Sequence, residues 1–291
     1  MSVYKFIEAQ KAYYPVSLIC RVLGVARSGY YAWRTRGISA RTVADAEIIE
    51  RIRGIHKESR GTYGYPRVYA ELRGEGVAGR NRVARLMRLS GLRGCHRKAY
   101  VRTTRQHDAA ATAPDLVGRR FISDSPDMLW VADFTYVPTN EGWLYLAFVL
   151  DAYSRRIVGW SMAGHMRADL VVDALSMAVS RRNPAGGLIH HSDRGAQYTS
   201  VEFGARIHDA GILPSMGSRG DAYDNAMAES FVATIKKELI HRHSWQTRGE
   251  ARSAIFEYIE CFYNPRRKHS ALNYLSPCAY ERSTMTQATA T

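Results

Sequence analysis

The sequence predicts an α/β layer fold: a mixed five-stranded sheet flanked by helices, preceded by small all-α, helix-turn-helix-like modules. Three observations carry this expectation. From Leu129 onward the chain holds five short runs rich in β-branched and aromatic residues, the first three consecutive and the rest alternating with helical stretches. Before them, apolar residues recur at helical spacing. The charge is also lopsided. Residues 1–120 hold 24 Lys+Arg against 9 Asp+Glu, a balance of +15, whereas residues 121–291 hold 17 against 18, a balance of −1. A basic front end on a near-neutral body suits a nucleic-acid partner. The length of 291 residues and the 46% apolar content allow about two domains with a proper core.

Residues 1–37 read as a helical unit. Ser17 is placed to cap a helix through SLICRVLG, Gly24 to end it, and ARSGYYAWR to begin another. Residues 41–100 read as a basic helical DNA-binding module. In ADAEIIERIRGIHKE, Ile48, Ile49, Ile52 and Ile55 share a face. Pro66 opens the next helix, and GRNRVARLMRLSGLRG follows with Val83, Leu86, Met87 and Leu89 inward. Arg80, Arg82, Arg85 and Arg88 surround its remaining surface, where arginines suit phosphate contact and guanine reading. Residues 101–123, with QHDAAATAPD, read as a linker.

The core is expected over 124–285, with 286–291 a tail. LWVADFTYV is its first strand, ending at Pro138; TNEG turns into WLYLAFVLDAYS, and RRIVGWSM is the third. Then come helix DLVVDALSMAVSRR, strand GLIHHSD, helix SVEFGARIHDAG and strand ILPSMG. Asp224 is expected to cap a helix over Asn225–His241, and a last helix to span Gly249–Tyr263.

Three carboxylates stand out: Asp133 within the first strand, Asp193 at the end of the fourth, and Glu229 on the helix after the fifth, thirty-five residues beyond Asp193. Aspartate is depleted in strands, and ionised carboxylates are costly to bury unpaired. Three gathered together imply a cation, and hard oxygen donors suit Mg²⁺ or Mn²⁺. Two such ions about 4 Å apart serve in-line displacement at phosphorus, the chemistry of cutting and joining DNA. At about 100° per residue, Asn225, Glu229 and Lys236 share a polar stripe beside a core stripe of Ala228, Phe231, Ile235 and Leu239, and Asn225 and Lys236 are expected to contact DNA. Glycine-containing SRGDAYDNAMAES reads as a loop-like lip before that helix. Asp151 also ends an apolar strand, and spacing alone does not exclude it.

Other chemistries fit less well. Cys20, Cys95, Cys261 and Cys278 are scattered without a C-x₂-C pair, which argues against disulfides and structural zinc. Adjacent His190 and His191 point to opposite sheet faces and do not share an ion. Ser192 and Ser230 have no positioned His–Asp partners. Without a signal peptide or a membrane-length apolar run, the chain is expected to be cytoplasmic and nucleoid-associated, with no membrane partner.

WVADFTYVPTNEGWLYLAFVLDAYSRRIVGW, HSDRGAQYTS, DAYDNAMAESFVATIKKEL and YNPRRKHSALNYLSP resemble the orfB-type DDE transposases of the insertion-sequence-three family, relatives of retroviral integrases. GVARSGYYAWR and the stretch from GTYGYPRVYAELR to GLRG resemble that family's helical front end. The resemblance implies a ribonuclease H-like core with Asp133, Asp193 and Glu229 as catalytic metal ligands and Lys236 as a DNA-contacting base. It implies metal-dependent cleavage at element ends followed by strand transfer. The implied partners are double-stranded DNA, further copies of the chain as a homo-multimer, and an upstream-frame fusion partner. The His/Cys zinc module of retroviral integrases has no counterpart, so no zinc is expected. Two other readings stay open: a non-catalytic DNA-binding protein with a decayed core, and a metal-dependent nuclease without strand transfer.

Overall fold

The computed structural model describes residues 2–95, 113–118, 120–217 and 225–288. Three short helices, α1 (Val3–Gln10), α2 (Val16–Val22) and α3 (Arg27–Thr35), pack around Ile7, Ile19, Cys20 and Tyr30. Ser17 does not cap α2. Pro15 holds that position, and its fixed φ starts the helix one residue before the serine. Gly24 does end α2, with a left-handed φ of 65° that lets Val25 N–H reach back to the Cys20 carbonyl.

The next three helices are α4 (Ala40–Glu58), α5 (Tyr65–Leu72, with Pro66 in its first turn) and α6 (Arg80–Leu89). Ile48, Ile52, Val68, Leu72, Val83, Leu86 and Met87 are buried, and Ile49 and Ile55 pack against them. Leu89 lies outside this core and is exposed. The module is joined to the rest of the molecule by one continuous apolar cluster. Polar ties run beside it: the Tyr63 hydroxyl donates to Arg266 O (3.3 Å) and accepts from Lys268 N–H (2.7 Å). Residues 113–118 also touch the core, with Val117 buried and Leu116 N–H donating to the Ser215 hydroxyl.

The sheet contains β1 (Leu129–Thr139), β2 (Gly142–Asp151), β3 (Ile157–Ala163), β4 (Ile189–Ser192) and β5 (Leu213–Met216), in the order β3-β2-β1-β4-β5. The first three are antiparallel; β4 runs parallel to β1, and β5 parallel to β4. This is the mixed five-stranded sheet that the sequence predicts. Pro138 does not stop β1, which continues to pair through Pro138 and Thr139 with β2. Pairing to β4 ends at Val131, so the far half of β1 is an edge, where a missing N–H is tolerated.

Side-chain alternation sends Trp130 and Ala132 to one face and Val131, Asp133 and Val137 to the other. The first face packs on α7 (Ala168–Arg182) and α8 (Val201–Asp209). Gly159 of β3 is required there, because a Cβ would lie 2.2 Å from the Ala174 carbonyl. The second face packs on α9 (Ala226–Glu238) and α10 (Arg248–Glu257), with the Phe148 and Phe231 rings 4.6 Å apart. Asn225 occupies the N-cap of α9, and Asp224 lies outside the described residues. A π-helical segment, Tyr258–Tyr263, extends α10.

A further helix, α11 (Pro277–Ala288), follows the one expected to be last. It has no clear apolar stripe to announce it in sequence. Ion pairs anchor it instead: buried Glu281 bonds Arg156 (2.7 Å) and Arg182 (3.1 Å).

Candidate active site

The parallel register of β1 and β4 brings the two aspartates together. Val131 stands opposite His191, so Asp133 and Asp193 occupy equivalent positions two residues further on. Adjacent strands lie about 4.8 Å apart. Both carboxylates therefore emerge where the parallel pairing ends, at the junction of the antiparallel and parallel halves of the sheet. Ligands of open α/β sheets gather at such carboxyl ends.

Helix α9 closes the opening. The Asn225 side-chain amide donates to the Ala132 carbonyl (3.1 Å), a group beyond the last β1–β4 pair. Glu229 lies one turn along α9, its N–H bonded to Asn225 O, on the exposed side. Ala228, Phe231, Ile235 and Leu239 are buried on the core side, as the helical arithmetic expects. Asn225 is thus turned down toward β1 rather than outward, and it holds the helix against the strand that carries Asp133.

The electrostatics follow from this crowding. Burial, with the Asp193 and Glu229 charges added, drives the Asp133 carboxyl up to about 8; the Phe134 N–H and Lys236 oppose that rise. Burial also raises Asp193, against the bond its Oδ1 accepts from Gly195 N–H (3.0 Å). The Lys236 ammonium lies 4.7 Å from the centre of the Tyr136 ring, and burial lowers its pKa while Asp133 supports its charge. Among the described residues, no three His, Cys, Asp or Glu side chains are close enough to hold one ion between them. The carboxylates share an electrostatic field without closing on a point.

Asp151 is structural. Buried at the end of β2, it accepts from Asp127 N–H, Ser154 N–H and the Ser154 hydroxyl, each at 2.8 Å, and shapes the β2–β3 turn. His190 and His191 divide between the sheet faces. His190 packs on Phe203, and burial lowers it to about 4; His191 bonds the Ser215 hydroxyl (2.9 Å) and packs on Phe121.

Residues 123–222 match the family model of an integrase core domain, 210–277 a second integrase core domain model, and 43–100 an HTH-like domain. The transposase for insertion sequence element IS629 of Shigella sonnei is 40% identical over 283 residues, covering 95% of this chain and 95% of that protein. Transposase InsF for insertion sequence IS3A of Escherichia coli is 38% identical over 286 residues, covering 97% and 99% respectively. The chain belongs to the insertion-sequence-three family of transposases. Among solved structures, the catalytic core domain of BIV integrase aligns with a TM-score of 0.42 at 18% identity, over 56% of this chain and 99% of that one.

In this transposase the first integrase segment contains Asp133 and Asp193, and the second contains Glu229 and Lys236. The HTH-like segment contains α6 with its four arginines. They are not equivalent. Arg82 and Arg85 both bond the Asp45 carboxylate, at 2.7 and 2.6 Å, because α4 presents that aspartate to the side of α6 on which they lie. Arg80 rests over the Tyr65 ring and bonds its hydroxyl (3.1 Å) while staying exposed; Arg88 is exposed. A residue that the spacing of carboxylates did not single out is Tyr198. It is buried beside the site, and its hydroxyl is held well above the ordinary range by burial and by the Asp133 and Asp193 charges. Its position five residues after Asp193 was the available signal.

Proposed function

We propose that this transposase cuts DNA at the ends of its element and joins the freed 3′ ends to target DNA, using Asp133, Asp193 and Glu229 as ligands for divalent metal. One observation carries the reading: the β1–β4 register sets Asp133 beside Asp193, and the charges of Asp193 and of Glu229 on α9 add to the burial that drives the Asp133 carboxyl up to about 8. A site short of positive charge and lined with hard oxygen donors fits Mg²⁺ or Mn²⁺. When bound, expected as two ions, the metal supplies Lewis acidity that activates the attacking water or 3′-OH and stabilises the leaving oxygen. The surrounding residues have their own tasks. Asn225 positions α9 and hence Glu229, Gly195 N–H orients Asp193, and Lys236 supplies a cation beside the site for a DNA phosphate. Arg80 and Arg88 present exposed charge for the duplex, with Arg82 and Arg85 set behind them by Asp45. Holding two element ends together requires a homo-multimer, and an upstream-frame fusion partner is proposed to complete end recognition.

The test uses labelled element ends and the full-length chain, alone and fused to its upstream frame. Strand transfer is expected with Mg²⁺ or Mn²⁺ and is expected to stop with EDTA while DNA binding persists. Cleavage without joining would support a nuclease, and binding alone would support a decayed core. In the binding arm, Arg80→Ala and Arg88→Ala should each flatten the slope of log K against log salt by about one. Unchanged slopes would turn that face of α6 away from DNA.

A further inference from the structure

A second, chemically distinct cavity lies on the other side of α9 from Glu229. It has a volume of about 100 Å³ and is lined by Arg67, Arg155 and Arg267, by His269, and by Ser230 and Thr234 of α9. That is room for several waters, each needing about 10–15 Å³ on this measure. Its lining is polar, although apolar core adjoins it.

The charges around it do not balance. Arg267 is buried and gives Nε and Nη2 to Glu238, at 2.8 and 2.7 Å. Arg67 lies 3.7 Å from the same carboxylate and gives its Nε–H to Lys268 O (2.9 Å). One carboxylate therefore faces two guanidinium groups. Arg155, half-buried in the turn before β3, brings a third and has no carboxylate partner among the described residues. His269 adds no charge, because burial and these arginines hold it neutral. A partly buried guanidinium without a counter-ion, opening into a polar cavity with hydroxyls, is a built receptor for an oxyanion.

We propose that this cavity binds a phosphate group, held by Arg155 and Arg67 with the Ser230 and Thr234 hydroxyls as additional donors. The size and charge suit a tetrahedral oxyanion. Given the function proposed above, its expected source is the backbone of a DNA strand lying along α9; the receptor itself stands on the cavity and does not depend on the catalytic reading. Ser230 follows Glu229 directly, so a phosphate fixed here would anchor the strand on the far side of the helix that carries the third acid.

Two measurements on the full-length protein in EDTA test this without any catalytic step. First, inorganic phosphate should raise the melting temperature more than chloride does at equal ionic strength. Arg155→Gln should remove that excess, Arg155→Lys should retain much of it, and Thr234→Val should reduce it. Second, Arg155→Gln should lower the salt slope of DNA binding by about one. If phosphate stabilises the wild type but the slope does not change, the site is real and its ligand is a free phosphorylated molecule, which overturns the DNA source. If phosphate gives no excess stabilisation and the slope is unchanged, there is no phosphate receptor here. Loss of strand transfer by the wild type would affect neither readout.

Discussion

Asp133→Asn is expected to reduce strand transfer by a factor on the order of 10³ or more, and at the same time to make the metal-free protein more stable. The first effect follows from removing a proposed metal ligand, where metal-assisted charge stabilisation would be worth several kcal/mol, at about 1.36 kcal/mol per tenfold in rate. The second follows from the raised carboxyl. A group whose proton is held more tightly in the folded state than in the unfolded chain destabilises the fold as pH rises. Here that window runs from the ordinary aspartate value of 3.8 up to about 8. In EDTA the wild type should therefore lose stability from pH 4 toward pH 8, and Asp133→Asn should lose less, melting above the wild type at pH 8 and near it at pH 4. Mg²⁺ should raise the wild-type melting temperature at pH 8 and leave the variant little changed. Joining activity that survives the substitution would remove Asp133 from the chemistry. A variant that melts below the wild type at pH 8 would contradict the crowding.

Much of the geometry of this candidate site could be read from sequence because it is periodic. An aspartate inside an apolar strand is conspicuous, and the helical repeat fixes which side of α9 Glu229 shares with Lys236. What periodicity does not encode is pairing between distant segments. The register that sets Asp133 beside Asp193 depends on how β1 and β4 align. The fate of the α6 arginines depends on Asp45, thirty-seven residues before Arg82 in sequence. From α6 alone, four arginines look equally available; in the fold two are drawn to an aspartate on α4. The same limit explains α11, whose attachment rests on Glu281 meeting Arg156 and Arg182 from elements far upstream. Asp151 and Asp133 look alike in sequence because both sit on apolar strands. Local hydrogen bonds separate them: Ser154 and the Asp127 N–H occupy the oxygens of Asp151, whereas Asp133 takes one bond from Phe134 N–H and is otherwise left to the fields of Asp193, Glu229 and Lys236.

Glu238→Ala is expected to destabilise the protein by about 3–5 kcal/mol, a large part of the roughly 5–15 kcal/mol that holds a typical domain folded. Glu238 sits at the end of α9 and is buried. It accepts a forked pair of bonds from Arg267 and one from the Tyr258 hydroxyl (2.8 Å). Burial alone would raise its carboxyl, but the Arg267 bonds, with the Arg267 and Arg67 charges, outweigh that and hold it below its ordinary range. The stability it contributes is present above the ordinary glutamate value of 4.5 and is lost as pH falls through the lower, folded value. Removing the carboxylate strands the Arg267 guanidinium among Tyr258, Tyr263 and His269 without its counter-charge. It also releases Arg67, so the helical module loses a tie to the core at the same moment. The urea midpoint of the full-length chain measures the loss. Pairing Glu238→Gln with Arg267→Met should recover most of it, since the penalty comes from an unpaired buried charge rather than from absence of the pair. A loss below about 1 kcal/mol, the range of exposed ion pairs, would show that water reaches the cluster. It would then serve as a surface contact rather than the electrostatic clasp between the HTH-like helical module and the sheet core.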